Sequence, residues 1–477
     1  MQNLTRRKFL SSIGLTGASL YLGSSWASGK VPGANDTVQI GVAGLNGRGG
    51  DHINAFLEMK NVRIAYLIDP DKRTWAAKVK MIQDKGGYTP KTVQDIRQAL
   101  EDKDLDAVSI ATPNHWHSLL AIWACQAGKD VYVEKPCSHN VREGRILVET
   151  ARRYDRIVQH GTQSRTGTLG VQARALAKSG QYGKLLVSRG LCYKPRVSIG
   201  FKPEKTPPPE LDFNLWLGPA PEQPFHENLV HYNWHWFWDT GNGDIGNNGV
   251  HQMDIARWGI PGATLPRSVI SLGGRFGYTD QGQTANTQIA IFDFGATQLV
   301  FEVRGLKTNG FRKQKIENFF HYEKGTLTGG KYTPNEGGEA IELPTQSFKR
   351  GPGGDHFANF IAAVRSHKKS DLNAEILEGH YSSALCHLAN ISYRLGETVP
   401  FNPKTKAFGD NKEAYETLAR MEQHLAGENG LKLDGLQYRL GRKLTIDARS
   451  EKILNDPEAS KMLTREYRKP FVVPEKV

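Results

Sequence analysis

The stretch Val38-Gln-Ile-Gly-Val-Ala-Gly44-Leu-Asn46-Gly47-Arg48-Gly49 decides the fold of this chain. Its first six residues form an apolar run that is typical of a short buried strand. The glycines that follow allow a tight turn, and a helical pattern runs from His52 to Met59. A strand, a glycine turn and a helix together form a unit whose helix amides can bind a phosphate. Asn46 replaces the middle glycine of the usual pattern, and asparagine tolerates left-handed backbone geometry.

An acidic residue after the next predicted strand, Val62–Ile68, extends this pattern. Asp69 lies 20 residues after Gly49, which is the spacing at which a carboxylate binds the ribose of a dinucleotide. The alternative is an aspartate that caps the turn at Pro70. A carboxylate repels a 2′-phosphate, so we expect NAD as the cofactor. NADP stays open because Lys72 and Arg73 follow closely.

The rest of the first third of the chain alternates between strands and helices. Such alternation predicts a doubly wound parallel sheet, an α/β Rossmann domain over residues 31–165. The predicted elements are a helix at Val93–Leu100, a strand at Asp106–Ala111, a helix at Ser118–Gln126, a strand at Asp130–Pro136, a helix at Val141–Arg153 and a strand at Ile157–Gln159.

The pattern changes after residue 165, where strands follow one another without helices between them. This predicts an α+β domain with an open antiparallel sheet over residues 166–400, and residues 401–477 as a C-terminal extension that packs on the body. The predicted strands are Leu185–Tyr193, Ser268–Leu272, Thr287–Phe294, Gln298–Arg304 and Ile316–Tyr322, with helices at Val171–Ser179, Ala358–Ser366 and Glu375–Leu395.

Lys135 ends a predicted strand of the Rossmann sheet, and ligands of such sheets bind beyond the carboxyl ends of the strands. A lysine whose pKa is lowered by burial can act as a general acid or base. Asn247 and His251 are four residues apart, so on one helix they would share a face. Together with Lys135 they would surround a hydroxyl group. The alternatives are a solvated lysine and a histidine that only packs.

Several motifs resemble those of the glucose–fructose oxidoreductase, inositol dehydrogenase and rhizopine-catabolism (Gfo/Idh/MocA) superfamily, over roughly residues 38–400. They are Gly44–Gly49, Asp69, Thr112–His117, Glu134-Lys135-Pro136, Gly161–Gln163 and Gly241–Asp254. The resemblance implies a Rossmann domain plus a sheet that often packs against a second subunit, so we expect a homo-oligomer, a dimer or tetramer. The long loop at 194–232 and the tail beyond 402 resemble the enlarged, exported branch found in Bacteroidetes-like bacteria.

The resemblance also implies roles for individual residues. The catalytic lysine corresponds to Lys135 and the catalytic histidine to His251, while Asn247 stands where the family has an aspartate. An amide cannot take a proton, so Asn247 is expected to orient the substrate. The family's Lys–Pro bond is often cis. We expect the cofactor to be bound by Gly44, Asn46, Gly47, Arg48, Gly49, Asp69, Thr112, Pro113, Asn114, His117, Glu134, Lys135 and Gln163.

Substrate contacts are expected from Asn247 and His251 and from Trp236 and Trp238, which alternate at strand spacing within a densely aromatic segment. Core packing is the alternative for the tryptophans. The predicted function is NAD(P)-dependent oxidation of a secondary alcohol in a sugar, glycoside or cyclitol. Two alternatives stay open: a redox-neutral glycoside hydrolase that uses NAD, which the retained Glu134-Lys135-Pro136 disfavours, and a non-catalytic sugar-binding protein.

The first 30 residues predict an export signal. Thr5-Arg6-Arg7-Lys8-Phe9-Leu10 resembles a twin-arginine motif, and Ser25-Trp26-Ala27 offers a cleavage site. The apolar part is too short to span a membrane, so we expect a periplasmic protein with no span after signal removal. The twin-arginine route carries folded proteins, which predicts a tightly held cofactor.

Composition excludes several other classes. The four cysteines lie far apart with no Cys-x-x-Cys pair, which argues against a zinc site or disulfide framework. The net charge of +13 is spread along the chain, so no nucleic-acid partner is predicted. His115, His117, His231 and His235 lie in separate regions without a carboxylate–histidine motif, so no metal is predicted.

Overall fold

The computed structural model describes residues 37–343 and 351–477, so the predicted export signal lies outside the described residues. The first part alternates as predicted. Its elements are β1 (Val38–Ala43), α1 (Gly49–Leu57), β2 (Val62–Ile68), α2 (Trp75–Gly86), β3 (Lys91–Val93), α3 (Ile96–Leu100), β4 (Ala107–Ile110), α4 (Asn114–Gln126), β5 (Asp130–Val133), α5 (Val141–Arg153) and β6 (Val158–His160).

Within the described residues these six strands form one parallel sheet in the order β3-β2-β1-β4-β5-β6. Helices cover both faces through two clusters of buried apolar side chains. The predicted doubly wound sheet is therefore confirmed. Two elements escaped prediction, because α2 buries only Ile82 fully and β3 is a short edge strand without buried residues.

Helix α4 begins at Asn114, four residues before its predicted start, because Pro113 occupies the N-cap position. Residues Asn114–His117 thus form the first turn of a helix that starts at the carboxyl end of β4. This shift places the polar segment directly beside the glycine turn after β1.

The second part forms a larger sheet. Its elements are α6 (Leu169–Ser179), β7 (Leu185–Tyr193), α7 (Phe213–Leu217), α8 (Gly243–Asn247), α9 (Gly249–Trp258), β8 (Ser268–Gly274), β9 (Thr287–Asp293), β10 (Gln298–Arg304), β11 (Ile316–Tyr322), β12 (Gly325–Thr328), β13 (Lys331–Pro334), β14 (Ile341–Glu342), α10 (His356–Ser366), α11 (Ile376–Arg394), β15 (Glu397–Pro400), α12 (Lys412–Gln423), β16 (Gln437–Leu440), β17 (Leu444–Asp447), β18 (Lys452–Leu454) and α13 (Pro457–Lys461).

Twelve strands of the described chain belong to this sheet. It is mixed rather than purely antiparallel, because β7 and β10 at its centre pair in parallel. The other pairs are antiparallel, so the predicted α+β architecture holds with this one correction. The chain after residue 400 contributes β16, β17 and β18 to the same sheet.

The two faces of the large sheet are covered differently. Apolar residues of α9 and α11 pack on one face, and this layer also meets the Rossmann domain through contacts between α11 and α5. On the other face α12 packs on β8 and β9 through Ala414, Leu418 and Met421. Beside it lies a buried ionic cluster of Arg189, Glu302 and Arg304. Helix α9 is thereby fixed opposite the carboxyl ends of the Rossmann strands.

No helix in the described parts of the chain is long and apolar enough to cross a membrane. A cavity of about 520 Å³ lies between the carboxyl ends of the Rossmann strands and the start of α9. Ligand sites typically have volumes of this order, about 300–1,000 Å³. This cavity is the candidate active site.

Candidate active site

The glycine turn after β1 forms one wall of the cavity. Gly44 has φ +85°, and a Cβ there would lie 2.6 Å from the backbone of Ala111. A Cβ on Gly49 would lie 1.9 Å from the carbonyl oxygen of Gly44, so only glycine lets α1 start this close to the strand. Asn46, Gly47 and Arg48 line the cavity between them. Gly49 itself does not line it; this corrects its predicted contact with the cofactor to a role in shaping the turn.

Asp69 follows β2 and lines the same end of the cavity. Its carboxylate accepts hydrogen bonds from the backbone amides of Leu45 and Asp71, at 2.8 and 2.9 Å. Burial raises the pKa of Asp69 to about 6, and the amides oppose this rise. The carboxylate is therefore fixed against the glycine turn and charged at neutral pH. The neighbouring Arg73 is occupied by an ion pair with Asp71.

The residues after β4 and β6 form the middle of the cavity. Thr112, Pro113, Asn114, His117 and Gln163, which are expected to bind the cofactor, all line it. The ring nitrogens of His117 lie 2.6 Å from the carbonyl oxygen of Pro136 and 2.8 Å from that of Thr112. His117 therefore ties the end of β4 to the segment after β5. The hydroxyl of Thr112 is buried and has no hydrogen-bond partner among the described residues.

Glu134 turns toward α1, away from the lysine head group. It accepts hydrogen bonds from Arg48 Nε at 3.1 Å and lies 3.3 Å from His52 Nε2. Burial alone would raise the pKa of Glu134, but the His52 hydrogen bond and the charges of Lys135 and Arg48 hold it well below its usual value. Burial lowers the pKa of His52, so the contact between these two residues is a hydrogen bond that the neutral ring donates to the carboxylate.

Lys135 lies at the far end of the cavity, and its bond to Pro136 is cis. Its Nζ donates a hydrogen bond to the backbone carbonyl of Asn247 at 3.0 Å. Burial lowers the pKa of Lys135 below the ordinary value of 10.5; Glu134 opposes this shift, and the charges of Arg48 and Lys194 add to it. The geometry and the pKa shift together suit a lysine that exchanges protons.

His251 lines the cavity beside Lys135. Its Nδ1 is buried and has no hydrogen-bond partner in residues 37–343 and 351–477, and burial with the nearby charge of Lys135 lowers the pKa of His251 to about 3. Asn247 and His251 do not share one helix, because α8 ends at Asn247 and α9 begins at Gly249. Asn247 meets Lys135 through its backbone carbonyl, a contact that does not depend on the side chain.

The expected substrate contacts of the tryptophans need correction. Residues Asn233–Trp236 form a 3-10 turn rather than a strand, so the side chains do not alternate. Trp236 is buried under the guanidinium of Arg196, and Trp238 packs against Tyr393 and Arg394; neither lines the cavity. The aromatic residues that do line it include Trp116, Trp216, Tyr232, Trp234 and His235.

Of the lining residues, Trp216, Tyr232 and Lys194 are not predicted from the sequence, because they come from the mostly irregular segment between β7 and α8. The one available signal was the Lys194-Pro195 pair at the end of a predicted strand, which repeats the arrangement of Lys135 and Pro136. The tail after α13 supports this wall. Phe471 packs edge-on against Trp116 at 5.4 Å, and the indole of Trp116 donates to the carbonyl of Trp216 at 2.9 Å.

Metal ligands and thiols do not gather here. In residues 37–343 and 351–477 no group of three His, Cys, Asp or Glu side chains could hold a metal ion. All four cysteines are buried and unpaired, and burial raises the pKa of the Cys137 thiol to about 12. Cys137 therefore packs below the site as a neutral thiol.

The arrangement suits a nicotinamide dinucleotide. The glycine turn leaves space for a phosphate at the start of α1, Asp69 presents a fixed carboxylate, and the unpartnered Thr112 hydroxyl and His251 Nδ1 offer polar contacts in the middle and at the far end. Residues 38–162 match the family model Gfo/Idh/MocA, described as an oxidoreductase family with an NAD-binding Rossmann fold. Residues 196–263 match its C-terminal alpha/beta domain.

Over these residues the chain thus matches both domains of the Gfo/Idh/MocA oxidoreductase family, and the first of them is an NAD-binding Rossmann domain. Similar curated proteins are a glycosyl hydrolase family 109 protein of Shewanella pealeana, 29% identical over 203 residues, and glycosyl hydrolase family 109 protein 2 of Shewanella sp. strain ANA-3, 32% identical over 171 residues. These matches cover 38% and 32% of this chain. The chain spans less than half the length of either relative, 44% and 38%.

Solved structures share the fold at low identity. The WlbA dehydrogenase from Bordetella pertussis in complex with NADH and UDP-GlcNAcA is 18% identical, with a TM-score of 0.55 over 75% of this chain and 97% of that one. A levoglucosan dehydrogenase in complex with NADH and levoglucosan is 16% identical, with a TM-score of 0.54 over 74% of this chain and 96% of that one.

Proposed function

We propose that this protein is an NAD-dependent oxidoreductase that acts on a secondary alcohol of a sugar, glycoside or cyclitol. The observation that carries the proposal is the position of Lys135. Its Nζ, with a lowered pKa, shares one cavity with the glycine turn and Asp69 at one end and the unpartnered His251 at the other. A dinucleotide that extends from the turn has its reactive end at this lysine.

NAD, when bound, supplies a hydride acceptor for the carbinol carbon. The protein's part is to take the proton from the hydroxyl oxygen as a ketone forms. Neutral Lys135 accepts that proton at Nζ, and the backbone carbonyl of Asn247 holds Nζ in place. His251, neutral and with a free Nδ1, hydrogen-bonds the same hydroxyl or relays the proton.

We further propose that the protein is exported by the twin-arginine route to the periplasm and carries its cofactor with it. The motif at Arg6 and Arg7 supports this part of the proposal. Free NAD is scarce outside the cytoplasm, so a resident cofactor must be restored by a second substrate or by the same molecule. A homo-oligomer, dimer or tetramer, remains part of the proposal, and light scattering of the purified protein tests it.

A redox-neutral glycoside hydrolase is the second candidate, because similar curated proteins are glycosyl hydrolases of family 109. In that reaction a hydroxyl is oxidised, the glycoside is eliminated, water adds, and the ketone is reduced again. The same Lys135 and His251 would move the protons. No net NADH forms, so the two candidates differ in their products and not in their site.

The test begins with the purified native protein. Mass spectrometry of the denatured extract identifies the cofactor, and NAD is the expected result. A panel of sugars, cyclitols and aryl glycosides is then added without free cofactor. Absorbance of reduced nicotinamide with a keto product supports the oxidoreductase, whereas phenol release without reduced nicotinamide supports the hydrolase. A protein without cofactor and without either product would be a sugar-binding protein, and both proposals would be wrong.

A further inference from the structure

Lys194 lies at the substrate end of the cavity, directly after β7. It is half-buried, and its Nζ approaches the side-chain oxygen of Asn248 at 3.4 Å, longer than a strong hydrogen bond. Among residues 37–343 and 351–477 no carboxylate forms an ion pair with it. Within the part of the chain that the structure describes, Lys194 is thus a cavity-lining cation whose only side-chain partner is the distant amide of Asn248.

The nearby acids are already occupied. Asp244 accepts two hydrogen bonds from Arg196, at 2.9 and 2.7 Å. Glu134 accepts from Arg48 and turns toward α1. Neither carboxylate is therefore free to neutralise Lys194.

The two histidines at this end of the cavity carry no charge. Burial lowers the pKa of His235 and of His251 to about 3, so both are neutral at physiological pH. Lys194 therefore brings to the substrate end a positive charge that no carboxylate among the described residues neutralises. A neutral sugar would leave this cation partly desolvated and unpaired, which is unfavourable.

We propose, on the basis of the proposed function, that the physiological substrate is a sugar acid whose carboxylate pairs with Lys194 while a ring hydroxyl meets Lys135 and His251. A carboxylate suits this position better than a phosphate. A single ammonium matches one negative charge, whereas phosphates are commonly bound by arginine forks, and Arg196 is committed to Asp244.

The experiment compares a uronide and a glucoside that share configuration and aglycone, so that they differ only at the carboxylate. The ratio of their kcat/KM values is measured for the native protein and for Lys194→Gln, Lys194→Arg and Lys202→Gln. Lys202 is exposed and outside the cavity, which makes it a matched control.

The native protein should prefer the uronide, and Lys194→Gln should reduce that preference about 10- to 100-fold, mostly through KM. Lys194→Arg should keep most of the preference, and Lys202→Gln all of it. Added salt should raise KM for the uronide more than for the glucoside, because it screens the pair. A ratio is insensitive to the fraction of folded enzyme.

Two results would overturn the inference. One is an equal loss for both substrates in Lys194→Gln, which would mean that Lys194 acts only on the charge of Lys135. The other is a native preference for the glucoside or for glucose 6-phosphate. Calorimetric titration with the uronide separates this inference from the proposed function: salt-sensitive binding that Lys194→Gln abolishes supports the carboxylate site even if no sugar is oxidised.

Discussion

The two ends of the cavity are built in different ways. At the cofactor end the two carboxylates are held by the protein: Asp69 accepts from two backbone amides, and Glu134 accepts from the side chain of Arg48. At the substrate end, Lys135 meets a backbone carbonyl and Lys194 only a distant amide oxygen. The fold thus preorganises the cofactor end for a constant ligand. At the substrate end, we propose that the substrate supplies the negative charge that pairs with Lys194.

Low pH should destabilise the folded protein as a whole, and with it both ends of the cavity. Several buried histidines have pKa values lowered by burial, to about 3 for His115, His235, His251 and His387 and to about 4 for His160. The unfolded chain binds these protons near pH 6.5. These rings therefore cost no stability above about pH 6.5. The free energy of unfolding falls as the pH drops from 6.5 toward the folded pKa values.

The loss is about 1.4 kcal/mol per pH unit for each such histidine. Asp69 and Asp130, with pKa values raised to about 6, oppose it, since the folded state binds their protons more tightly than the unfolded chain. Histidines outnumber them, so we expect the thermal unfolding midpoint to fall steadily from pH 6.5 to about pH 4.5. A flat or rising midpoint would show that these rings are protonated in the folded protein.

Gly49→Ala should disrupt the glycine turn at the cofactor end and leave the substrate end of the cavity unaltered. Its Cβ would overlap the carbonyl oxygen of Gly44, so we expect a loss of about 3 kcal/mol in the free energy of unfolding and purification without bound NAD. Gly427→Ala is the control, since Gly427 lies outside the cavity and a Cβ there meets only the side chain of Gln423, at 3.6 Å. For each variant, denaturant unfolding measures the stability, and mass spectrometry of the released cofactor measures the NAD content. If Gly49→Ala were as stable and as fully loaded as the control, the described turn would be wrong.

Substitutions of Asn247 test how Lys135 is held at the substrate end of the cavity. Because its backbone carbonyl holds Lys135, Asn247→Ala should reduce turnover less than about 10-fold. Asn247→Asp places a carboxylate near Lys135 and should raise the lysine pKa by about one unit. The rise of kcat/KM with pH, which reports deprotonation of Lys135, should then move to higher pH. Loss of all turnover in Asn247→Ala would instead assign chemistry to the amide.

The smallest expected effect concerns the aromatic wall. Tyr232 lines the cavity and is 53% exposed, so Tyr232→Ala should raise KM about threefold through lost contact with the sugar. Trp238 lies outside the cavity, and Trp238→Phe should leave KM unchanged. Steady-state kinetics gives the KM of each variant. A larger KM effect at Trp238 than at Tyr232 would restore the role first expected for the tryptophan.

The same contrast explains what could be predicted from the sequence. Local rules determine the cofactor end: β1, β2, β5 and α5 follow from apolar runs and their spacing, and Asp69 follows from its distance to the turn. Lys135 and His251 were found through their motifs, although they are more than 100 residues apart and meet only through the packing of α9.

The substrate end depends on long-range packing of an irregular segment. Strand spacing puts Trp234, Trp236 and Trp238 on one face, but a 3-10 turn forms over Asn233–Trp236, and of the three only Trp234 lines the cavity. That turn is anchored by contacts that no local pattern reveals, such as Thr240 donating to the carbonyl of Trp234 and Gln283 donating to that of Trp236. Lys194 escaped notice for the same reason, since its exposure to the cavity is a property of the folded loop.

The most direct test of the central claim is Lys135→Met in a single turnover of the resident cofactor with a confirmed sugar substrate. Lys60→Met, on an exposed surface away from the cavity, is the control. We predict a loss of about 1,000-fold in the rate of nicotinamide reduction, with unchanged cofactor content and unfolding midpoint. Normal turnover by Lys135→Met would contradict the assignment of Lys135 as the proton acceptor.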